Sequence, residues 1–168
     1  MRVAGHEIIL VDLPGTYSLT AYSVEEIIAR DFIVESRPDA VLCVVDAANL
    51  ERNLYLVIQI LEMHVPVILA LNMSDVAESR GIQIDHARLS EKLRGIPVIQ
   101  TVGSREIGLE ALKAAILEIT QRPDDWANQV DLGAVLEGEI SQLQTLITAD
   151  PGLQGYASHW LAIKLLEN

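Results

Sequence analysis

Apolar residues along the chain fall into two alternating patterns. Short continuous runs, "HEIILVD" (6–12), "DAVLCVVDA" (39–47), "VPVILALN" (65–72) and "IPVIQTV" (96–102), read as buried strands. Between them the apolar positions take helical spacing. "SVEEIIARDFIVES" (23–36) predicts a helix with Ser23 as N-cap and Glu26 at the capping-box position. In "NLERNLYLVIQILEMH", Leu50, Leu54, Val57, Ile58 and Leu61 share one helical face. "DHARLSEKLRG" (85–95) predicts a short helix stopped by Gly95. "GLEALKAAILEIT" (108–120) predicts another, with Leu109, Leu112, Ile116 and Ile119 inward.

Continuous apolar strands separated by amphipathic helices imply an α/β fold, a mostly parallel sheet flanked by helices. Ligands of such sheets bind at the carboxyl ends of the strands. That rule nominates Asp12, Asp46, Asn72 and Val102. The pattern breaks at the polar "QRPDDWANQVD" (121–131), and only helical spacing follows, with Leu136, Ile140, Leu143 and Ile147 on one face. A boundary near 123 is expected, giving an α/β domain over 1–122 and a partial helical domain over 123–168. The tail stops in mid-helix, which implies truncation there. Trp160, Ile163 and Leu136 sit on helices too few to cover their own apolar faces, so an exposed patch that promotes association into an oligomer is expected.

Composition narrows the function. Half of the 168 residues are hydrophobic but only 4% are aromatic, so the core must be aliphatic. The formal net charge is 12 − 24 = −12, which excludes a nucleic-acid backbone as partner but not a single nucleotide held by local groups. The lone cysteine, Cys43, lies in an apolar run and reads as an inert core thiol, in keeping with a reducing cytoplasm. No run approaches the roughly 18–20 apolar residues of a membrane span, and the N-terminus lacks a signal-peptide core, so a soluble chain is expected. His6, His64, His86 and His159 show no metal-ligand spacing. Asp124, Asp125 and Asp131 read as a solvated linker, and Asp46 in "DAANLERN" as a structural turn.

Three short motifs carry chemistry. In "DLPG" (12–15), Asp12 closes a strand and suits an indirect Mg²⁺ contact, Leu13 and Pro14 shape the turn, and Gly15 lets a backbone N–H approach a terminal phosphate. The same residues suit an ordinary strand-to-turn junction. In "LNMSD" (71–75), the Asp75 carboxylate matches the two adjacent donors of guanine, N1–H and N2–H₂, and adenine cannot satisfy it. Asn72 can reach the other edge of the base and tie neighbouring loops together. The alternative is that Asn72 and Asp75 cap the next turn. In "TVGSREIG" (101–108), Val102, Gly103 and Ser104 offer backbone N–H groups to the base O6, or form a loop in which Ser104 caps a helix.

In order, and each at a strand's end, the three resemble the third, fourth and fifth motifs of the GTPase G domain. "VDLPGTYSL", "VVDAANLERNLYLVIQILE" and "LNMSD" further resemble the cytosolic G domain of the FeoB family of bacterial ferrous iron transporters. Met73 stands where most GTPases carry Lys, as in that family, and its thioether can pack on the base face. "HWLAIKLLEN" resembles the last helix of the family's helical domain. The resemblance implies GTP/GDP and Mg²⁺ as ligands. Asp12 and Gly15 would stand at the metal and γ-phosphate positions, with Asn72, Met73, Ser74 and Asp75, then Val102, Gly103 and Ser104, around the base. Tyr17 and Ser18 would lie in the second switch. It also implies a transmembrane iron-transport domain as partner and a place at the inner face of the bacterial membrane. No G-x-x-x-x-G-K-[ST] occurs in the chain. The expectation is therefore a truncated P-loop GTPase G domain whose phosphate loop and first switch belong upstream of Met1, with weak or absent hydrolysis. The competing expectation is a nucleotide-free G fold that docks to a membrane transporter.

Overall fold

The computed structural model describes residues 1–20, 23–121, 133–153 and 158–166. Three parallel strands form the sheet: β3 (Val41–Asp46), β4 (Val67–Asn72) and β5 (Val98–Gln100), in the order β3-β4-β5. Before them lies a small antiparallel hairpin of β1 (Arg2–Val3) and β2 (His6–Glu7). The α/β part carries helices α1 (Val24–Ser36), α2 (Leu50–Glu62), α3 (Ser74–Ser79), α4 (His86–Lys92) and α5 (Leu109–Gln121). Two more follow, α6 (Ala134–Ala149) and α7 (Ser158–Leu166). The α/β class with a flanked parallel sheet is as expected. The expected 122/123 boundary and the acids Asp124, Asp125 and Asp131 fall outside the described residues.

Strand β4 sets the layers. Val67, Leu69 and Leu71 point into one core with Cys43, Val45, Val57, Ile60 and Leu61. Ile68 points the other way, into a second core with Ile116 and Ile119 of α5. A strand covered on both faces has no polar side to alternate, which is why its sequence is a continuous aliphatic run. Helix α1 begins as its sequence requires. Ser23 accepts from the Glu26 N–H at 3.2 Å, and the Glu26 carboxylate reaches back to the Ser23 N–H at 3.4 Å.

Two expectations fail for physical reasons. Residues 8–12 are not a buried strand: strand β2 ends at Glu7, and Ile9, Leu10 and Val11 are 84%, 62% and 53% exposed. An extended segment enters a core only when neighbouring strands take its backbone hydrogen bonds. Ile8 still exchanges two backbone hydrogen bonds with Met1, at 2.8 and 2.7 Å, but among the described residues no backbone pairs with 9–12; only the flanks hold, Ile8 against the second core and Leu13 against the first. On α2, Ile58 is 42% exposed while Gln59 is buried. The Gln59 Oε1 accepts from the Leu19 N–H at 2.8 Å, so a polar residue takes the inward position to satisfy a buried amide.

The tail also departs from expectation. Ile140 and Ile147 of α6 pack with Ala162 and Ile163 of α7, and the Trp160 side chain joins the α/β core that contains Ile33 and Met63. Trp160 and Ile163 are thus buried rather than part of an exposed patch; Leu136 remains partly exposed. The same junction brings together two histidines that looked unrelated in sequence. The His64 and His159 rings meet edge to face, centroids 4.6 Å apart, and His159 Nε2 lies 3.6 Å from Glu137 of α6. Cys43 is buried, and burial pushes its thiol up to about 12, an inert group at neutral pH.

The junction gives stability a pH dependence. Burial is the main cause that holds the His64 pKa below its ordinary value; His159 and Arg94 push the same way, and Glu137 opposes them. A histidine with a depressed folded pKa binds its proton more readily when unfolded, so stability is full above the unfolded value, about 6.5, and declines as pH falls below it. His64 also sits at φ 59°, a left-handed position that asparagine tolerates. Urea midpoints measured between pH 7.5 and 5 should fall with acidification, and fall less steeply in His64→Asn. Equal slopes in the two proteins would remove His64 as the source.

Candidate functional site

The parallel register aligns Asp46 of β3 with Asn72 of β4, and β5 runs beside β4 with Gln100 opposite Leu71. The carboxyl ends of the strands therefore open onto one edge. Beyond Asn72 the chain turns sharply. Met73 adopts φ 58°, ψ 32°, a left-handed conformation uncommon for a non-glycine residue, and its side chain is largely exposed. Ser74 is buried, with its hydroxyl donating to the Leu71 carbonyl at 2.7 Å. That bond folds the start of α3 back onto β4 and places Asp75 in the helix's first turn.

The turn and the loop after β5 are tied together by Asn72. Its Oδ1 accepts from the Gly103 N–H at 3.0 Å and from the Thr101 hydroxyl at 3.4 Å. The Ser74 N–H adds a bond to the Thr101 carbonyl at 3.3 Å. Asn72 makes no cap on α3, whose N-cap is Met73 without a side-chain bond. Asp75 Oδ1 accepts from the Val76 N–H at 3.0 Å, and Oδ2 lies 3.4 Å from the Arg105 guanidinium. The loop itself closes through reciprocal bonds between Val102 and Ile107, 3.1 and 3.3 Å long. Ser104 is exposed in the short 3₁₀ turn Gly103–Arg105. So 72–75 and 101–105 form one cluster.

The first motif stands apart. Among the described residues no hydrogen bond joins Asp12 or Gly15 to that cluster; Asp12, Pro14 and Gly15 are exposed and Leu13 is half-buried. No group of three or more acidic, histidine or cysteine side chains suited to a metal occurs among the described residues. Asp12 is a single solvated carboxylate, so these residues do not by themselves build a Mg²⁺ site. Asp46 is a turn residue: it accepts from the Ala48 N–H at 2.8 Å and the Asn49 amide at 2.6 Å.

Several contacts that shape this edge are not evident from the sequence. Glu26 caps α1, but it also accepts from Ser18 at 2.6 Å and Thr20 at 3.3 Å, holding the segment after the Pro-Gly turn against the helix start. Gln59 fixes Leu19, and the Arg52 guanidinium lies 4.0 Å over the Tyr17 ring. The capping-box spacing pointed to Glu26; a glutamine amid the apolar face of α2 was the signal for Gln59. Arg105 gave no signal beyond its place in the loop.

A three-stranded parallel edge with these loops is the edge of a G domain, and comparison with known proteins agrees. The family model described as ferrous iron transport protein B matches residues 1–116. The Fe(2+) transporter FeoB of Escherichia coli K12 is 42% identical over 96% of the chain, and a FeoA/FeoB fusion protein of Porphyromonas gingivalis is 40% identical over 99%. The cytosolic domain of the Thermotoga maritima FeoB iron transporter, solved in its GMPPNP form, superposes with a TM-score of 0.84 at 37% identity; the match covers 99% of this chain and 64% of that one. The FeoB G domain of Methanococcus jannaschii is 50% identical over 66% of this chain and 70% of that one, with a TM-score of 0.64. The chain belongs to the ferrous iron transport protein B family. It spans about a fifth of the length of the curated relatives.

The loop after β5 depends on one glycine more than the other. Gly108 has φ +83°, and a Cβ there would collide with the Gln100 carbonyl oxygen; at Gly103 a Cβ would meet only Asn72, at 3.5 Å. Gly108→Ala should therefore cost about 1–3 kcal/mol or more and displace the loop, whereas Gly103→Ala should stay within about 0.5 kcal/mol. Thermal unfolding checks the pair; equal effects would mean that the tight approach at Gly108 is not what holds the loop.

Proposed function

We propose that the chain recognises guanine nucleotides through Asn72, Asp75 and the 101–104 loop, as the cytosolic G domain of a ferrous iron transporter. The observation that carries this reading is the Asn72 side chain bonded to Gly103 and Thr101. It holds the Asp75 turn and the loop N–H groups on one edge without using the Asp75 carboxylate. Asp75 then takes the N1–H and N2–H₂ donors of guanine. The backbone N–H of Ser104, which the Asn72 tie leaves unused, takes O6, and the exposed Met73 thioether packs on the base face. Adenine offers Asp75 no matching donor pair. At the phosphate end, Gly15 supplies an N–H and Asp12 a carboxylate. Support also comes from the relatives: the Thermotoga cytosolic domain was solved in GMPPNP and GDP forms. In the whole protein this domain would stand at the cytoplasmic face beside the transmembrane iron-transport part and couple GTP to Fe²⁺ uptake.

Residues 1–168 hold no loop lysine and no G-x-x-x-x-G-K-[ST]. Phosphoryl transfer gains its rate from positioning and charge stabilisation around the γ-phosphate, and each such donor lost costs about 100- to 1000-fold. These residues alone therefore bind weakly and hydrolyse slowly or not at all.

Two measurements decide. Fluorescent GDP should bind the chain, and Asp75→Asn should weaken it on the order of 100-fold while gaining affinity for the xanthine analogue, whose carbonyl meets the new amide donor. No guanine binding by the unaltered chain would favour the docking reading instead. A phosphate-release assay with GTP should give background turnover. Turnover that survives rigorous purification and disappears in Asp12→Ala would show that another group replaces the missing lysine.

A further inference from the structure

The carboxylate assigned to the base already has a cationic partner from its own loop cluster. Arg105 closes the 3₁₀ turn that begins at Gly103, and its guanidinium lies 3.4 Å from Asp75 Oδ2. A guanidinium presents parallel N–H donors in a plane. The Watson–Crick edge of guanine presents the same arrangement, N1–H beside N2–H₂. Both are therefore matched to the same carboxylate edge, and Oδ2 cannot serve both fully. Oδ1 relieves the contest only in part, because it already accepts from the Val76 N–H at 3.0 Å.

We propose that Arg105 is an internal competitor for the guanine-reading carboxylate, a side chain that mimics the base edge and must be displaced for guanine to bind. The inference rests on the guanine reading above. Geometry sets its reach. The Arg105 side chain is 66% exposed and that of Asp75 31%, so displacement needs only rotation of a solvated side chain and leaves the loop's backbone ties untouched. The pair keeps Asp75 directed toward the loop, and it opposes entry of ligands that bring no donor pair of their own. A partly exposed ion pair shifts an equilibrium by no more than about fivefold, so Arg105 tunes affinity and does not block it.

Fluorescent GDP titrations of the unaltered chain, Arg105→Ala and Arg105→Gln at low salt and at 1 M salt test this. Removing the competitor should raise GDP affinity about two- to fivefold at low salt, with Gln intermediate. The gain should shrink toward one at 1 M salt, where screening weakens the pair. A merely structural role for Arg105 would not give a gain that salt abolishes. Unchanged or weaker binding in both variants, with binding by the unaltered chain intact, overturns the inference alone. No guanine binding by any of the three overturns the guanine reading and this inference with it.

Discussion

Strand β4 has no face toward water, and the rest of the α/β part follows from that. Its residues Val67 to Leu71 are fully buried because α5 covers one side and the α1–α2 side covers the other. Such a strand must be hydrogen-bonded along both edges, since water cannot reach its amides. Here β3 and β5 supply those bonds, in parallel. Parallel pairing then sends Asp46, Asn72 and the end of β5 to the same edge. The site is a geometric consequence of the core: three loops leave the sheet side by side because the strand between them has nowhere else to go.

At that edge, a few polar contacts turn proximity into a defined shape. Asn72 is the hinge of the arrangement because its Oδ1 takes donors from the neighbouring loop instead of its own turn. Each such bond contributes only about 1 kcal/mol net. Their value lies in position: they fix the spacing between the Asp75 carboxylate and the loop after β5. Arg105 then balances the charge of Asp75 within the same cluster. The segment after the Pro-Gly turn is held by a separate set, Glu26, Gln59 and Arg52, which ties it to α1 and α2 rather than to the sheet.

Much of this was legible in the chain because it is local or periodic. The strands β3, β4 and β5 are unbroken aliphatic runs, the capping box of α1 is a four-residue signature, and the inward face of α5 repeats with helical spacing. What was not legible depends on partners distant in sequence. The run 8–12 is as apolar as β3, yet a strand exists only beside another, and among the described residues no backbone neighbour continues past Ile8. Ile58 and Gln59 exchange places because a backbone amide 40 residues away needs an acceptor. The His64–His159 contact joins residues 95 positions apart, one in the α/β part and one in the tail. Of the candidate site, the motifs named their residues; only the fold showed that the second and third form one cluster while the first stands alone.

The junction and the site obey the same rule at different depths. At the junction, His64 is partly buried, and a proton on it must be accommodated beside Arg94, Glu137 and the His159 ring. Burial makes charge costly there, so the neutral His64 ring is favoured. At the sheet edge, Asp75 and Arg105 stand in partial contact with solvent, where opposite charges attract weakly and exchange partners readily. Recognition of a base needs the second setting. A carboxylate sealed into a strong pair would be unavailable to any ligand, whereas one held loosely by a flexible guanidinium keeps its orientation and can still give up its partner to a planar edge with the same donors.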